Sequence, residues 1–370
     1  PLRQAWREAS QDLTRYTPVT SLIGTSTGRP SSSSIVFSWK IDFTQGATAT
    51  RVLFVNSRPD AAESPGGDTI QVKETKAALE SHGVAVEVRS PLELSDLPAF
   101  DVAHVFNLQM PESAAPVFEI LQRHRRPIVF SPIYWDPWAY WFEAASDERA
   151  RWRWPARLIG KERARQLYVG WQRRKAPKDE SWKTQRRLLQ QASRVLPNSK
   201  SEADHLCSTF SLDNGFAKKL AFVPNGVNAT LYKREPAPSG SFFEKYRVRD
   251  FVLQIGTISP VKNQLGLINA LFDLPVPIVF VGHTPPAKID YARQCRARAE
   301  ERGNVVFVEH LTADELPGIY ALAAVHALPS WRETPGLVSL EAAACGCRVV
   351  STSVGSARDY FGDLASYCHP

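Results

Sequence analysis

The feature that most constrains this chain is a unit of strand, glycine turn, helix and strand, clearest at 321–359. An apolar run at 321–328 reads as a strand or its approach. It breaks at Pro329, Ser330 and Thr334-Pro335-Gly336; helix-favouring residues then run from Leu337 to Gly346, and a second apolar run fills 348–353. Gly346 is placed to end the helix as its C-terminal cap. Such a succession predicts a βαβ unit of a parallel sheet. The same order recurs earlier, as strand 51–56, the turn Pro65-Gly66-Gly67-Asp68, helix 69–82 closed by Gly83, and strand 84–88. Further strands are expected at 101–107, 127–131, 194–199, 251–256, 277–282 and 304–308, and helices at 201–210 and 264–272. With 370 residues, two domains with sizeable cores are expected.

Composition sets the class. At 43% hydrophobic and 22% charged residues the chain reads as globular, and no apolar run approaches the roughly 18 residues of a membrane-spanning helix. Five cysteines, an odd number with no paired metal-ligand spacing, suit a reducing cytoplasm. Cys345 and Cys347 straddle a helix end and read as buried thiols rather than half a zinc site. The net charge of +7 is concentrated: residues 149–194 hold 15 Lys or Arg against Glu162, Asp179 and Glu180. Trp138, Trp141, Trp152, Trp154, Trp171 and Trp182 lie among or beside these cations. The region is expected to form a helix over 149–171, broken near Pro155, and another over 180–193. Three readings stand beside one another. It is a solvated helical insertion with tryptophans packed on the domain, a surface for anionic lipid or an acidic acceptor, or, least favoured, a single-stranded nucleic-acid surface.

A few residues carry chemistry. Glu333 lies in the turn before the helix, and Glu341 lies eight residues later among Ala342, Ala343 and Ala344. A carboxylate there is costly unless it is bonded or reaches a cleft. Gly336 permits close backbone approach, and a helix N-terminus offers N–H groups to oxygen ligands. The plain alternative is a helix-dipole charge at Glu333 and a solvated face at Glu341. The Gly66-Gly67 loop suits a phosphate, although most such loops are simply turns. His104, near the end of strand 101–107, reads equally as a satisfied core histidine. Lys262, at a strand-to-helix turn, can neutralise a diphosphate as a point charge, or be merely solvated.

The pattern P-S-x-x-E-x-x-G-L-x-x-L-E-A-x-A-C-G at 329–346 resembles the signature of retaining nucleotide-sugar glycosyltransferases of family 4, which have the GT-B fold. The resemblance implies that Glu333, Pro335, Gly336 and Leu337 face sugar and phosphate and that Glu341 binds the ribose. The I-G-x-x-x-x-x-K-N pattern at 255–263 is similar to the family's phosphate loop, with Lys262 on the diphosphate. Gly66 and Gly67 would lie against donor phosphates and acceptor, and His104 would approach the donor sugar. The chain departs from the family in having Pro335 where Phe is common, Thr257 where Arg often stands, and Asn228 where Asp is usual.

The fold this implies is α/β: two Rossmann-like parallel-sheet domains facing across a cleft. Residues 1–49 are expected to be a poorly ordered extension. Residues 50–215 are expected to form the acceptor-side domain, carrying the basic insertion 138–193. Residues 216–370 would be an incomplete donor domain, since family members continue through further helices, and residues 233–241 the hinge. The implied reaction moves a sugar, with retention, from a nucleoside-diphosphate sugar to a hydroxyl of a glycan or lipid-linked saccharide. No metal or cofactor is expected, and the place expected for it is the cytoplasm or the cytoplasmic membrane face. The rivals are another GT-B enzyme, such as a sugar phosphorylase or a nucleotide-sugar epimerase, and a non-catalytic or decayed nucleotide-binding protein.

Overall fold

The computed structural model describes residues 50–61, 65–144, 146–233 and 239–370. The proposed extension at 1–49 lies outside the described residues, as does most of the proposed hinge, at 234–238.

The first unit carries β1 (Arg51–Asn56), α1 (Gly67–Ser81), β2 (Ala85–Arg89), β3 (Val102–Phe106), α2 (Pro111–Arg123) and β4 (Ile128–Ser131). Helices α3 (Trp138–Ala144), α4 (Ser146–Ile159), α5 (Lys161–Lys175) and α6 (Glu180–Gln191) follow, before β5 (Arg194–Val195) and α7 (Lys200–Phe210). The strands pair in parallel in the order β2-β1-β3-β4-β5. They read as continuous apolar runs because helices cover both faces of such a sheet. Leu53, Val55, Val105, Phe118, Phe130 and Leu206 belong to its main core.

The second unit carries α8 (Gly240–Tyr246), β6 (Phe251–Ile255), α9 (Gln264–Ala270), β7 (Ile278–Val281), α10 (Ile289–Arg302) and β8 (Val305–Val308). After these come α11 (Leu316–Leu322), β9 (Ala323–Leu328), α12 (Leu337–Ala344), β10 (Arg348–Thr352), α13 (Ala357–Phe361) and β11 (Ser366–Cys368). This sheet is also parallel, in the order β11-β10-β9-β6-β7-β8. Both orders reverse direction once, between β1 and β3 and between β6 and β9. In open parallel sheets the crevice at such a switch point is where ligands bind.

Three expectations change. The insertion's first long helix breaks not at Pro155, which lies inside α4, but at Gly160. Gly160 stands at φ +85°, a backbone conformation open to a residue without Cβ. The strand expected at 194–199 pairs with the sheet over only two residues, because Asn198 and Ser199 are taken up by contacts at the start of α7. Finally, the first unit extends past residue 215. Phe216 belongs to its core, Leu220 bridges Val195, and the Val223 N–H donates to the Pro197 carbonyl at 3.1 Å.

Candidate active site

The sequence-predicted residues of the second unit converge at the β6/β9 switch point. Lys262 follows β6 and Glu333 follows β9; Lys262 Nζ lies 2.6 Å from Glu333 Oε1, with the Glu333 side chain only 7% exposed. Glu333 is held by its backbone as well. Its N–H donates to the Val354 carbonyl at 3.1 Å, and its carbonyl accepts from the Ser356 N–H at 2.9 Å. Gly355 makes this possible. It sits at φ +119°, and a Cβ there would lie 1.9 Å from the Glu333 carbonyl oxygen. Gly336 caps the N-terminus of α12 at φ +88°; a Cβ on it would meet Leu328 at 2.8 Å and Glu333 Oε2 at 3.4 Å. Pro335 and Leu337 flank it, the Thr334–Pro335 peptide being cis. Thr257 stands at the end of β6 beside Gly256, against which the Lys262 stem packs; its carbonyl accepts from Gln264 Nε2 at 2.9 Å.

Glu341 lies one turn into α12. Its Oε2 accepts from the Tyr320 hydroxyl at 3.0 Å, and the Tyr232 hydroxyl also bonds to it. Burial raises the pKa of this carboxyl, against the two tyrosine bonds, and the charge of Glu74 on α1 raises it further. A residue of the first unit is thus felt across the cleft.

At the β1/β3 switch point Gly66 is the N-cap of α1. Behind it lies a hub that the sequence reading missed, buried Asp68. Asp68 Oδ2 accepts from Asn56 Nδ2 at 3.0 Å and Asn107 Nδ2 at 3.2 Å, and its Oδ1 is 3.2 Å from Arg58 Nη1. Asn56 ends β1 and Asn107 follows β3, so one carboxylate ties both strand ends to the first turn of α1. A Cβ on Gly66 would come within 2.8 Å of Arg58, whereas one on Gly67 would meet nothing within 4 Å. The open glycine is therefore Gly67.

His104, on β3, has its ring packed within the first unit. It stacks on Phe106 with centroids 4.0 Å apart, meets Phe54 edge-on, and its Nε2 is 2.8 Å from Ser131 Oγ. Burial pushes its pKa down to about 3, so it is a neutral core histidine. The second sheet holds another, His326 on β9, pushed down to about 3 by burial and by the Lys262 charge.

The two units touch around the same place. Arg332, beside Glu333, donates to the Trp135 carbonyl at 2.6 Å. Asn198 Nδ2 donates to the Thr334 carbonyl at 3.2 Å. The Tyr360 hydroxyl donates to the Asn198 carbonyl at 2.7 Å, and Ser201 donates through N and Oγ to Asp359 at 2.7 and 2.6 Å. A cation, a carboxylate and a helix N-terminus thus share one cleft wall opposite a glycine-led helix.

Residues 242–368 match the family model described as glycosyl transferases group 1. That segment, running from within α8 to the end of β11, carries the group 1 glycosyltransferase domain. The transferase is 27% identical over 334 residues to a D-inositol 3-phosphate glycosyltransferase of Mycobacteroides abscessus, covering 82% of this chain and 74% of that relative. It is 31% identical over 162 residues to an O-antigen chain mannosyltransferase B of Escherichia coli, covering 42% of each. A GDP-mannose-dependent alpha-(1-6)-phosphatidylinositol monomannoside mannosyltransferase of Mycobacterium tuberculosis is 30% identical over 167 residues, 40% of this chain and 42% of the relative. The chain thus spans about two fifths of the latter two. Among solved structures, Anabaena HepE with UDP and glucose superposes with a TM-score of 0.59 at 19% identity, over 87% of this chain and 86% of that one. Sucrose-phosphate synthase of Thermosynechococcus elongatus gives 0.64 at 17%, over 87% and 86%. The GT-B architecture expected from the resemblance is therefore the observed one.

Proposed function

We propose that the transferase takes a sugar from a nucleoside-diphosphate sugar and places it, with retention, on a hydroxyl of a glycan, polyol or lipid-linked saccharide. The observation that carries this reading is the 2.6 Å Lys262–Glu333 pair beside Gly336, which opens α12. Lys262 and the unpaired N–H groups of α12 counter the charge that gathers on the diphosphate as it leaves. Pro335, Gly336 and Leu337 let the backbone approach the donor, and Glu333, sharing Lys262 with the phosphate, accepts hydroxyls of the sugar. Glu341 accepts from the ribose hydroxyls, while Gly66 and Gly67 bring α1 to the other side of the donor. Thr257 supplies a hydroxyl where the family often has a guanidinium.

In this reading the acceptor oxygen attacks the anomeric carbon on the face the diphosphate leaves, the carbon–phosphate-oxygen bond breaks, and the acceptor's proton passes to the departing oxygen. Lys262 supplies the countercharge without a bound metal, so transfer should survive chelation. The relatives' names, with inositol phosphate, phosphatidylinositol monomannoside and O-antigen chain, support a hydroxyl-rich acceptor. The test is incubation of the protein with UDP-glucose or GDP-mannose and a panel of such acceptors in EDTA, reading the product's anomeric configuration by proton NMR. An inverted product rejects retention, and phosphate-dependent release of sugar phosphate would favour a phosphorylase.

A further inference from the structure

The helical insertion has two kinds of tryptophan. Trp138 is buried; Trp152 meets Tyr168 edge-on in a small core with Phe142 and Ala164; and Trp182 donates to the Thr209 carbonyl at 3.0 Å. Trp154 is 70% exposed, and so are Leu158 at 62% and Leu167 at 57%. Periodicity organises these exposures. On α5, Ala164, Tyr168 and Gln172 form the buried stripe. Arg163, Leu167, Trp171 and Arg174 fall at i, i+4, i+8 and i+11 and share an adjoining, exposed sector. On α4, Trp154, Arg157 and Leu158 lie opposite Trp152 and Ala156, which face the small core. Lys175 lies over the Trp171 ring at 4.9 Å. The sole carboxylate on α5, Glu162, is paired with Arg165, so the outer sector of α5 is of one sign.

We propose that the outer faces of α4 and α5 dock this protein on an anionic lipid surface. Exposed leucine and tryptophan bracketed by Arg and Lys match the boundary between acyl chains and acidic headgroups. Leu158 and Leu167 offer neither charge nor ring to a nucleic acid. No described helix is long and apolar enough to cross a membrane, so the contact is interfacial. The other side of α5 reaches the cleft, with the Arg165 guanidinium 5.8 Å from the Trp331 ring, two residues before Glu333. Docking therefore holds the cleft close to the headgroups, where a lipid-linked hydroxyl would be presented.

Vesicle flotation tests this without a donor, so its outcome is independent of the transfer reaction. The chain should float with phosphatidylcholine vesicles containing phosphatidylglycerol, not with phosphatidylcholine alone, and added salt should weaken the binding. Trp154→Ser with Leu167→Ser should weaken it by roughly tenfold or more, and Arg163→Glu with Arg174→Glu by a comparable factor, both with unchanged melting. Absence of flotation, equal binding to neutral vesicles, or wild-type binding by the Ser variant would overturn the proposal. So would binding of a single-stranded homopolymer, or a dimer dispersed by the Ser substitutions, in place of vesicle binding.

Discussion

At the scale of residues, the candidate site depends on groups placed by contacts that local sequence does not reveal. Glu333 and Lys262 were readable because their motifs are contiguous. Gly355 was not, since its need for positive φ arises only where 354–356 runs against Glu333. Gly355→Ala should therefore cost roughly 1–3 kcal/mol in backbone strain and displace Glu333; a variant that melts and binds nucleotide like wild type would refute that. His104 could be read either way, because a strand buried on both faces carries no alternation to show which way a polar residue points. Glu341 gives a signed pH effect. Burial raises its folded pKa above the unfolded value, so ionisation in the fold is disfavoured and stability from this group declines as pH rises between the two. A ribose bound by its ionised form should bind more weakly as pH falls through the raised pKa, and Glu341→Gln should flatten that profile. A wild-type profile in the variant would remove Glu341 from the ribose.

At the scale of elements, apolar runs located the strands well, because the central strands β3, β6, β7 and β9 are mostly buried. Helix ends in the insertion were less legible: Pro155 looked like the breaker, but Gly160 supplies the turn that lets α5 fold back on α4. The Asp68 hub was invisible for a different reason. It joins β1, β3 and α1 only once the sheet order is known. α7 offers a test of how loops are fixed to elements. Glu202 is fully buried, and its carboxylate accepts from the Tyr134 N–H at 2.7 Å and the Asn198 N–H at 2.7 Å. Burial pushes its pKa up to about 7, against those two bonds. Glu202→Gln should leave one backbone N–H facing an amide N–H and cost roughly 1–3 kcal/mol. Because the folded pKa is raised, stability from Glu202 is fully present below its unfolded value and declines as pH rises toward about 7. An unchanged melting temperature in the variant would count against the buried-acceptor role.

At the scale of the whole molecule, the two sheets present their switch points to one cleft. The motif order along the sequence implied this arrangement, but the contacts that hold it could not be read in advance. They cluster at Asn198, Ser201, Arg332, Asp359 and Tyr360, on segments whose composition carries no periodic signal. Asp359→Ala with Tyr360→Phe should leave both units folded by circular dichroism and broaden the small-angle scattering distance distribution; identical scattering would show that these contacts do not set the closure. The central claim is that this cleft holds a nucleoside diphosphate through Lys262, and calorimetric titration with UDP, GDP and ADP tests it most directly. Wild-type protein should bind at least one of them. Lys262→Ala should weaken that diphosphate by roughly ten- to a hundredfold while leaving the matching nucleoside nearly unchanged. Failure to bind any diphosphate, or equal losses for diphosphate and nucleoside, would contradict it.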